Sequence, residues 1–509
     1  MASFSKWLGE SYLHRLSGLE FFIQRTQMAA AGLLELIYSG FQEDRLLPPK
    51  GQPQVNLFTK AYMKTGRFTT EWYAVQFDGT PSFGKTVKAT IPRRGHLVRK
   101  AFLVTVMPDI ISPQTAAASL ASSASTQVGK PLVGWTNSIG HALVQNADIT
   151  IGASPVDRLD GRLMEVMDEF NTPIEKVTTV NRMLGRFDSG FTYQSNSKPN
   201  QKVITPLPFW FTRDRTMALP IDAIGLDTVQ ISITYNPLDS LYVAYERTNT
   251  GETRILNGLS PGIQSYPFTD VTGAALNTRM PPLLDIQSAY ILLEYVYLDK
   301  PEANRIRLGD ITYRIPQHYA MNPESTKGQS MARIPLRIPN MTRDLYFFAH
   351  RADADTYNAP FFASRELMKG TDLWWPDASG LGTVAFTQLV PAYSRSESEP
   401  IRTVALMYEG KLLRYGSDSP AFFRSILPSF QKTKTPWHNK YYYNLPFGFE
   451  EEGHANMDKL QKVELLLEFK PLLGSLSITD LPSYTIYIWA ETYGILRVYG
   501  GRAGLLFGY

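Results

Sequence analysis

The sequence predicts an all-β chain of two tandem sandwiches behind a short helical arm, and three observations carry that reading. From about Pro53 onward apolar residues recur with period two over short runs, as half-buried strands require. The 36 glycines and 34 prolines are spread along 509 residues, which multiplies turns and leaves little room for long helices. A ten-residue pattern also occurs twice, VQISITYNPL at 229–238 and VELLLEFKPL at 463–472. The length itself is too great for one ordinary domain, so two of similar size are expected.

Composition narrows the function classes. Hydrophobic residues make up 43% and aromatic residues 12%, enough to build cores. A net charge of +4 is small for this length and gives no basic stripe of the kind that coats a polyanion, so direct nucleic-acid binding is not expected. With no cysteine, disulfides, thiolate zinc sites, iron–sulfur clusters and a cysteine nucleophile are all excluded. A reducing compartment is the simpler setting for such a chain. No apolar run reaches the ~18–20 residues a spanning helix needs. Glu10, His14, Arg15 and Glu20 interrupt any signal-peptide core.

Residues 1–46 read as helical, with Leu8, Tyr12, Leu16 and Leu19 at helical spacing and a second apolar run from Ala29 to Tyr38. They form an arm that either packs on its own domain or reaches a neighbouring subunit or a membrane surface. Strands are expected at 71–77, 86–91 and 101–107. The Ser/Ala/Thr-rich stretch 112–131 reads as a surface loop. A helix is expected over 158–170, where Leu163, Val166, Met167 and Phe170 share a face. Strands return at 207–211, 228–235 and 289–298, with 247–283 a surface excursion. The two copies of Val-x-Ile/Leu-x-Ile/Leu-x-Tyr/Phe-x-Pro-Leu are each followed by an aromatic-rich strand, 290–298 and 484–498. Two strands matched in order imply two copies of one β module, divided near the charged stretch 299–311. The expected organisation is an arm at 1–50 and modules at 51–300 and 301–509. Modules of this size, with long loops between short strands, fit sandwiches of the jelly-roll kind.

Two motifs imitate active sites. Residues 79–86, GTPSFGKT, match the phosphate-binding pattern G-x-x-x-x-G-K-[ST], and YVYLD at 295–299 could supply a magnesium-binding Asp299. That loop works only if a helix starts at Lys85-Thr86 and aims its N–H groups at phosphates. The following TVKATIP is β-branched, alternates, and reaches Pro92 within two turns, so a turn between strands is the better reading. GLSPG at 258–262 matches a nucleophile elbow, but Pro261 lacks the N–H its oxyanion hole needs. The histidines His14, His96, His141, His318, His350, His438 and His454 have no metal-ligand spacing. Glu450–Glu452 reads as a solvated loop. Distant carboxylates that pair only in space, as in a glycosidase, leave no local trace. Asn340-Met341-Thr342 is an N-glycosylation sequon, which makes Asn340 the one candidate modification site. No catalytic, cofactor-binding or metal-binding residue is assigned.

Several segments taken in order resemble the major capsid proteins of nucleocytoplasmic large DNA viruses, a double jelly-roll capsid family. Residues 32–71, with GFQEDRLLPP and PQVNLFTKAY, are similar to the family's N-terminal signature, and 75–100 to its next hairpin, which contains the false phosphate loop. WTNSIGHALVQNADITIG at 135–152, PLPFWFTRDRTMALPIDAIGLDTVQISITY at 206–235 and AYILLEYVYLD at 289–299 continue the likeness. So do 340–349, 404–430 and 493–507. Residues 1–27 look extra, and FEEEGHANM at 449–457 replaces a Gln-Pro-Ser-Gly segment, which leaves the virus group and the arm's role open. The resemblance implies two tandem eight-stranded jelly-roll β-sandwiches with a short helical N-terminal arm, no enzymatic role and no cofactor. It implies homotrimers forming pseudo-hexagonal capsomers that contact neighbouring capsomers, minor capsid and penton proteins, and an inner viral membrane through the arm. Assembly in viral factories of the host cytoplasm goes with it. A double jelly-roll scaffold or minor capsid protein is the near alternative, and a P-loop NTPase the distant one.

Overall fold

The computed structural model describes residues 68–109, 132–186, 201–247, 284–365, 399–408, 412–417, 419–436, 440–447, 454–460, 462–471 and 481–506, with short strands elsewhere. The chain divides into two compact units, Met1–Arg67 and Phe68–Tyr509. Of the first, two antiparallel strands are described, Gln54–Asn56 and Thr59–Tyr62. The helical arm expected over 1–46, the loop at 112–131 and GLSPG lie outside the described residues.

The second unit begins with eight strands that build one sandwich. They are β1 (Phe68–Gln76), β2 (Thr86–Thr90), β3 (Leu97–Met107), β4 (Val144–Ile151), β5 (Ser154–Asp160), β6 (Gln201–Pro206), β7 (Val229–Tyr235) and β8 (Ser288–Leu298). One sheet runs β1-β8-β3-β6 and the other β2-β7-β4-β5, every pairing antiparallel. The chain crosses between the sheets as it advances, the winding of a jelly roll. Period two decides which side chains meet. Val229, Ile231, Ile233 and Tyr235 of β7 point inward, as do Ala147, Ile149 and Ile151 of β4, toward Ile291, Leu293 and Tyr295 of β8. Outside, β7 carries Gln230, Ser232 and Thr234, so that face of the second sheet is polar. A further three-stranded sheet forms from Leu132–Trp135, Tyr242–Arg247 and Thr253–Ile255.

The same order then repeats. Strands β9 (Ile311–Ala320), β10 (Met331–Pro335), β11 (Met341–Arg351), β12 (Ile401–Tyr408), β13 (Leu412–Ser417), β14 (Tyr443–Pro446), β15 (Val463–Phe469) and β16 (Tyr484–Tyr499) form sheets β9-β16-β11-β14 and β10-β15-β12-β13. Each strand takes the place of the one eight before it. The matched sequences are β7 and β15, at the same position in equivalent sheets, and their aromatic followers are β8 and β16. Three short strands, Glu324–Ser325, Ala455–Asn456 and Arg502–Leu505, join the first of these sheets, so the second sandwich has more strands than the expected eight. Among the described strands no ladder crosses residue 300. A helix, α3 (Lys300–Leu308), stands there, with Pro301 in its first turn and Arg305 and Arg307 complementing the dipole at its last.

The expected helix near 158–170 is α1 (Gly161–Asn171), capped by Asp160, whose carboxylate accepts from the Arg162 N–H at 3.0 Å. A second helix, α2 (Ile174–Leu184), follows it. The strand expected at 207–211 is not there. The ladder to β3 uses Gln201–Pro206, and Pro208 carries no N–H to extend it, so the chain turns into a short helix at Trp210–Arg213.

Candidate functional site: the seam between the sandwiches

Helix α1 is apolar on one side and acidic on the other, and both sides are buried. Leu163, Val166, Met167 and Phe170 fill the core, each side chain of this size contributing roughly 1.5–3 kcal/mol. Glu165 and Glu169 are also buried, which is tolerable only if every charge is met. Glu165 accepts from Ser138 Oγ at 3.1 Å, His141 Nδ1 at 2.8 Å, Arg186 Nη2 at 2.5 Å and Lys440 Nζ at 2.7 Å. Lys440 belongs to the second sandwich, as does Lys434, whose Nζ lies 3.1 Å from Glu169. Burial pushes the Glu165 carboxyl up, but Arg186, Lys440 and His141 outweigh it and hold it well below the usual carboxylate range.

A second cluster lies on the outer face of the β9-β16-β11-β14 sheet. Glu491 of β16 is met by Arg343 of β11 at 3.4 Å and by Arg213, from the first sandwich, at 3.1 Å. Burial raises the Glu491 carboxyl, and Arg213, Lys432, His318 and Arg343 together bring it far below its ordinary value. Beside it Lys432 donates to Asp344 and to the Tyr346 hydroxyl, both at 2.8 Å. On β9, His318 donates its backbone N–H to Asp157 of β5 at 2.9 Å with its ring against the same carboxylate, while Gln317 Nε2 donates to the Val156 carbonyl at 2.6 Å. Phe170 meets Tyr346 at 6.0 Å, and Arg162 stacks 4.5 Å above Tyr487. The sandwiches are therefore joined by buried ion pairs and aromatic contacts rather than by a linker alone.

A cavity of about 850 Å³ opens along the seam, with Asp160, Arg162, Asp355 and Trp489 in its wall. Two of the three carboxylates in its wall are committed to structure: Asp160 caps α1, and Asp355 accepts from His350 Nε2 at 2.9 Å. The arrangement fixes two halves in register.

Lys85 and Thr86 of the phosphate-loop look-alike lead directly into β2, where Thr86 pairs with Thr234. Gly84, at φ 73°, makes the turn and donates its N–H to Asn236. No helix starts there, so the anion-binding N–H groups of that motif are not formed. Asn340 sits at φ 64° immediately before β11; its side-chain nitrogen is buried, and so is Thr342. The acidic run Glu450–Glu452 and His438 lie outside the described residues. The sequence does not reveal the seam: its carboxylates are met by cations from distant segments, Lys440 standing 275 positions from Glu165, which no local pattern shows.

Two jelly rolls of identical strand order, joined through buried charge, define a double jelly-roll fold. A family model described as "Major capsid protein N-terminus" matches residues 56–299. The major capsid protein of Pyramimonas orientalis virus is 23% identical over 482 residues, 94% of this chain and 99% of that one. Capsid protein 1 of Acanthamoeba polyphaga mimivirus is 24% identical over 327 residues, 62% of this chain, and the match spans only 48% of that longer relative. Among solved structures, the capsid protein VP54 of the virus PBCV-1, fitted into a reconstruction of the virophage Sputnik, covers 89% of this chain and all of its own, with TM-score 0.64 at 15% identity. Residues 56–299 thus match the major capsid protein N-terminal model, and the fold of the second unit is the double jelly roll of the capsid protein VP54.

Proposed function

We propose that this chain is the major capsid subunit of a large DNA virus, three copies of which form a pseudo-hexagonal capsomer that tiles an icosahedral shell. The observation that carries this reading is the repeat itself: two sandwiches of one topology in one chain give three chains six near-equivalent walls. Residues 51–300 and 301–509 are the two modules on this reading, with 1–50 an arm directed to a neighbour or an inner membrane. Neighbouring capsomers, minor capsid and penton proteins are the partners, and assembly takes place in the cytoplasmic factory of the host. The subunit has no enzymatic role and takes no cofactor.

Light scattering and negative-stain images of the purified protein should give a three-fold particle of hexagonal outline, and mass spectrometry of virions should place it among the most abundant proteins. A monomer at high concentration, or trace abundance, would sink the reading; trace abundance with a trimer would instead favour a scaffold. ATP hydrolysis lost on Lys85→Ala would overturn the non-enzymatic part. Asn340 stays a proposed glycan acceptor on its sequon alone, and the burial of its amide nitrogen requires attachment before folding. The mass of the peptide carrying Asn340, from virion protein, decides it.

A further inference from the structure

A pocket of about 310 Å³ lies between the outer face of the β1-β8-β3-β6 sheet and helices α1 and α2. Period two sets its sheet side: Ala101 and Leu103 of β3 point into the core, so Lys100 and Phe102 point out of it. The floor is apolar. Met164 and Met167 come from α1, Val180 from α2, and Leu207 from the stretch after β6. The volume is at the lower end of those that hold small organic ligands. Among the described residues of the wall the only aromatic rings are Phe102 and the His141 imidazole, which Glu165 engages at 2.8 Å. No pair of flat faces is set to clasp a ring. Two unbranched, adaptable methionines beside aliphatic neighbours suit a flexible hydrocarbon chain instead.

The rim is positive. Lys100 and Lys176 stand in the wall, and Arg215 is close enough to act on Lys100. Lys100 Nζ donates to the Thr212 carbonyl at 2.6 Å, which occupies one of its three hydrogens. Burial first, then Arg99, Lys176 and Arg215, push the Lys100 ammonium below its ordinary value. Glu294 opposes them, but Arg99 already holds that carboxylate at 2.9 Å. Among the described residues Lys100, Lys176 and Arg215 have no ion-pair partner. The carboxylate in the wall, Asp168, is engaged by Arg186 and Thr172, and Arg213 in the same wall is engaged by Glu491. Helix α2 also starts at the rim, where Pro173 and Lys176 line the pocket, so the positive end of its dipole adds to the lysines. Glu175 in that turn is exposed and lies outside the lining.

We propose that this pocket binds an anionic amphiphile, its carboxylate or phosphate head held by Lys100 and Lys176 and its alkyl chain laid along Met164, Met167 and Leu207. The head neutralises cations that otherwise repel one another, through charge-assisted hydrogen bonds. The chain covers Phe102 and Val180, which the protein leaves half-buried. A free fatty acid and a phospholipid share this chemistry. The site lies within one chain, so it goes beyond the capsid reading and does not depend on how copies associate.

Isothermal titration calorimetry of the full-length chain tests the site. The probes are decanoate and decyl phosphate below their aggregation concentrations, with decanol as the neutral-headed control and propionate as the short-tailed one. Both anions should bind saturably, and decanol and propionate should each bind weaker by about tenfold or more, the scale of one lost charged hydrogen bond or a few unburied methylenes. Lys100→Gln with Lys176→Gln should weaken the anions by a similar factor and leave decanol unchanged. Val180→Trp, which fills the chamber, should abolish binding of the tailed probes. Circular dichroism and a melt check the fold of each variant. The tighter of the two anions separates a fatty acid from a phosphate head, and either order supports the pocket. Decanol or propionate as tight as decanoate would overturn the anionic head or the alkyl tail. Affinity unchanged in both Val180→Trp and the lysine variant would overturn the pocket, as would a wild-type chain that binds neither anion. If Val180→Trp misfolds, Lys176→Glu at its exposed position carries the test, with a loss of about tenfold or more expected and an unchanged affinity overturning the site.

Discussion

Glu165 is buried against four donors drawn from both sandwiches, and its carboxylate survives there because Arg186 and Lys440 compensate desolvation. Arg186 also reaches Asp168 at 2.6 Å and Glu169 at 3.5 Å, so it faces three carboxylates at once. Replacing it by a methionine of similar length leaves them under-compensated, and we expect Arg186→Met to cost about 3–5 kcal/mol in a urea denaturation series. A loss under about 1 kcal/mol would mean that Lys440 and His141 suffice. The pH dependence follows from the same groups. Glu165, Asp168 and Glu491 all have folded-state values below the ordinary carboxylate, so the unfolded chain takes up protons first as pH falls. Their stabilisation is complete above the unfolded value near ~4 and drains away below it. Melting temperature should therefore hold steady from pH 7 to about 5 and fall steeply beneath that; a flat profile down to pH 3 would contradict the assignment. None of this was legible in the sequence, where His141, Glu165, Arg186 and Lys440 are unremarkable polar residues on distant segments.

At the level of elements, legibility followed the strength of the local period. The inward residues of β7 and β15 alternate without interruption, and their shared sequence led straight to equivalent places in two sheets. Helix α1 announced itself by its apolar stripe, whereas α2 did not: Val177, Thr178, Thr179 and Val180 are β-branched, and only Val177 and Leu184 are buried on it. Its boundaries were nonetheless written in Pro173 before it and Gly185 after it, at φ 66°. The missed strand β6 lacked an unbroken apolar run, and the Leu-Pro-Phe frame that follows it drew the eye instead. One glycine sets how closely α1 can start against β4. A Cβ on Gly161 would run into the carbonyl oxygens of His141 and Val144, backbone atoms that cannot step aside. Gly161→Ala should thus lower stability by roughly 1–3 kcal/mol, read as a shift in denaturant midpoint, whereas Gly79→Ala, with open space around it, should leave the midpoint unchanged. Equal effects at the two positions would refute the packing argument.

Across the whole second unit, the seam decides whether the two sandwiches unfold separately or together. Each has its own pair of sheets and no ladder is shared among the described strands, so separate unfolding is the default expectation for two such bodies. Against it stand buried ion pairs that cross the seam at Arg213–Glu491, Lys440–Glu165 and Lys434–Glu169, and the Asp157–His318 contact. Opening the seam while both sandwiches stay folded would expose the carboxylates of Glu165 and Glu491 to water but strand their partners, and each lost charged hydrogen bond costs about 1.5–3 kcal/mol. Several such contacts exceed the ordinary difference in stability between two domains, so the pair should melt as one. Calorimetry of the full chain should then show a single transition with calorimetric and van't Hoff enthalpies in agreement for this unit. Arg213→Met and Lys440→Met remove two of the three cross-seam cations while leaving Glu491 with Arg343 and Glu165 with Arg186, so neither carboxylate is left alone. The double variant should separate the transition into two, and the more so because the substituted sites belong to different clusters and their effects add. A wild-type chain that already melts in two steps would show that the seam aligns the sandwiches without coupling them.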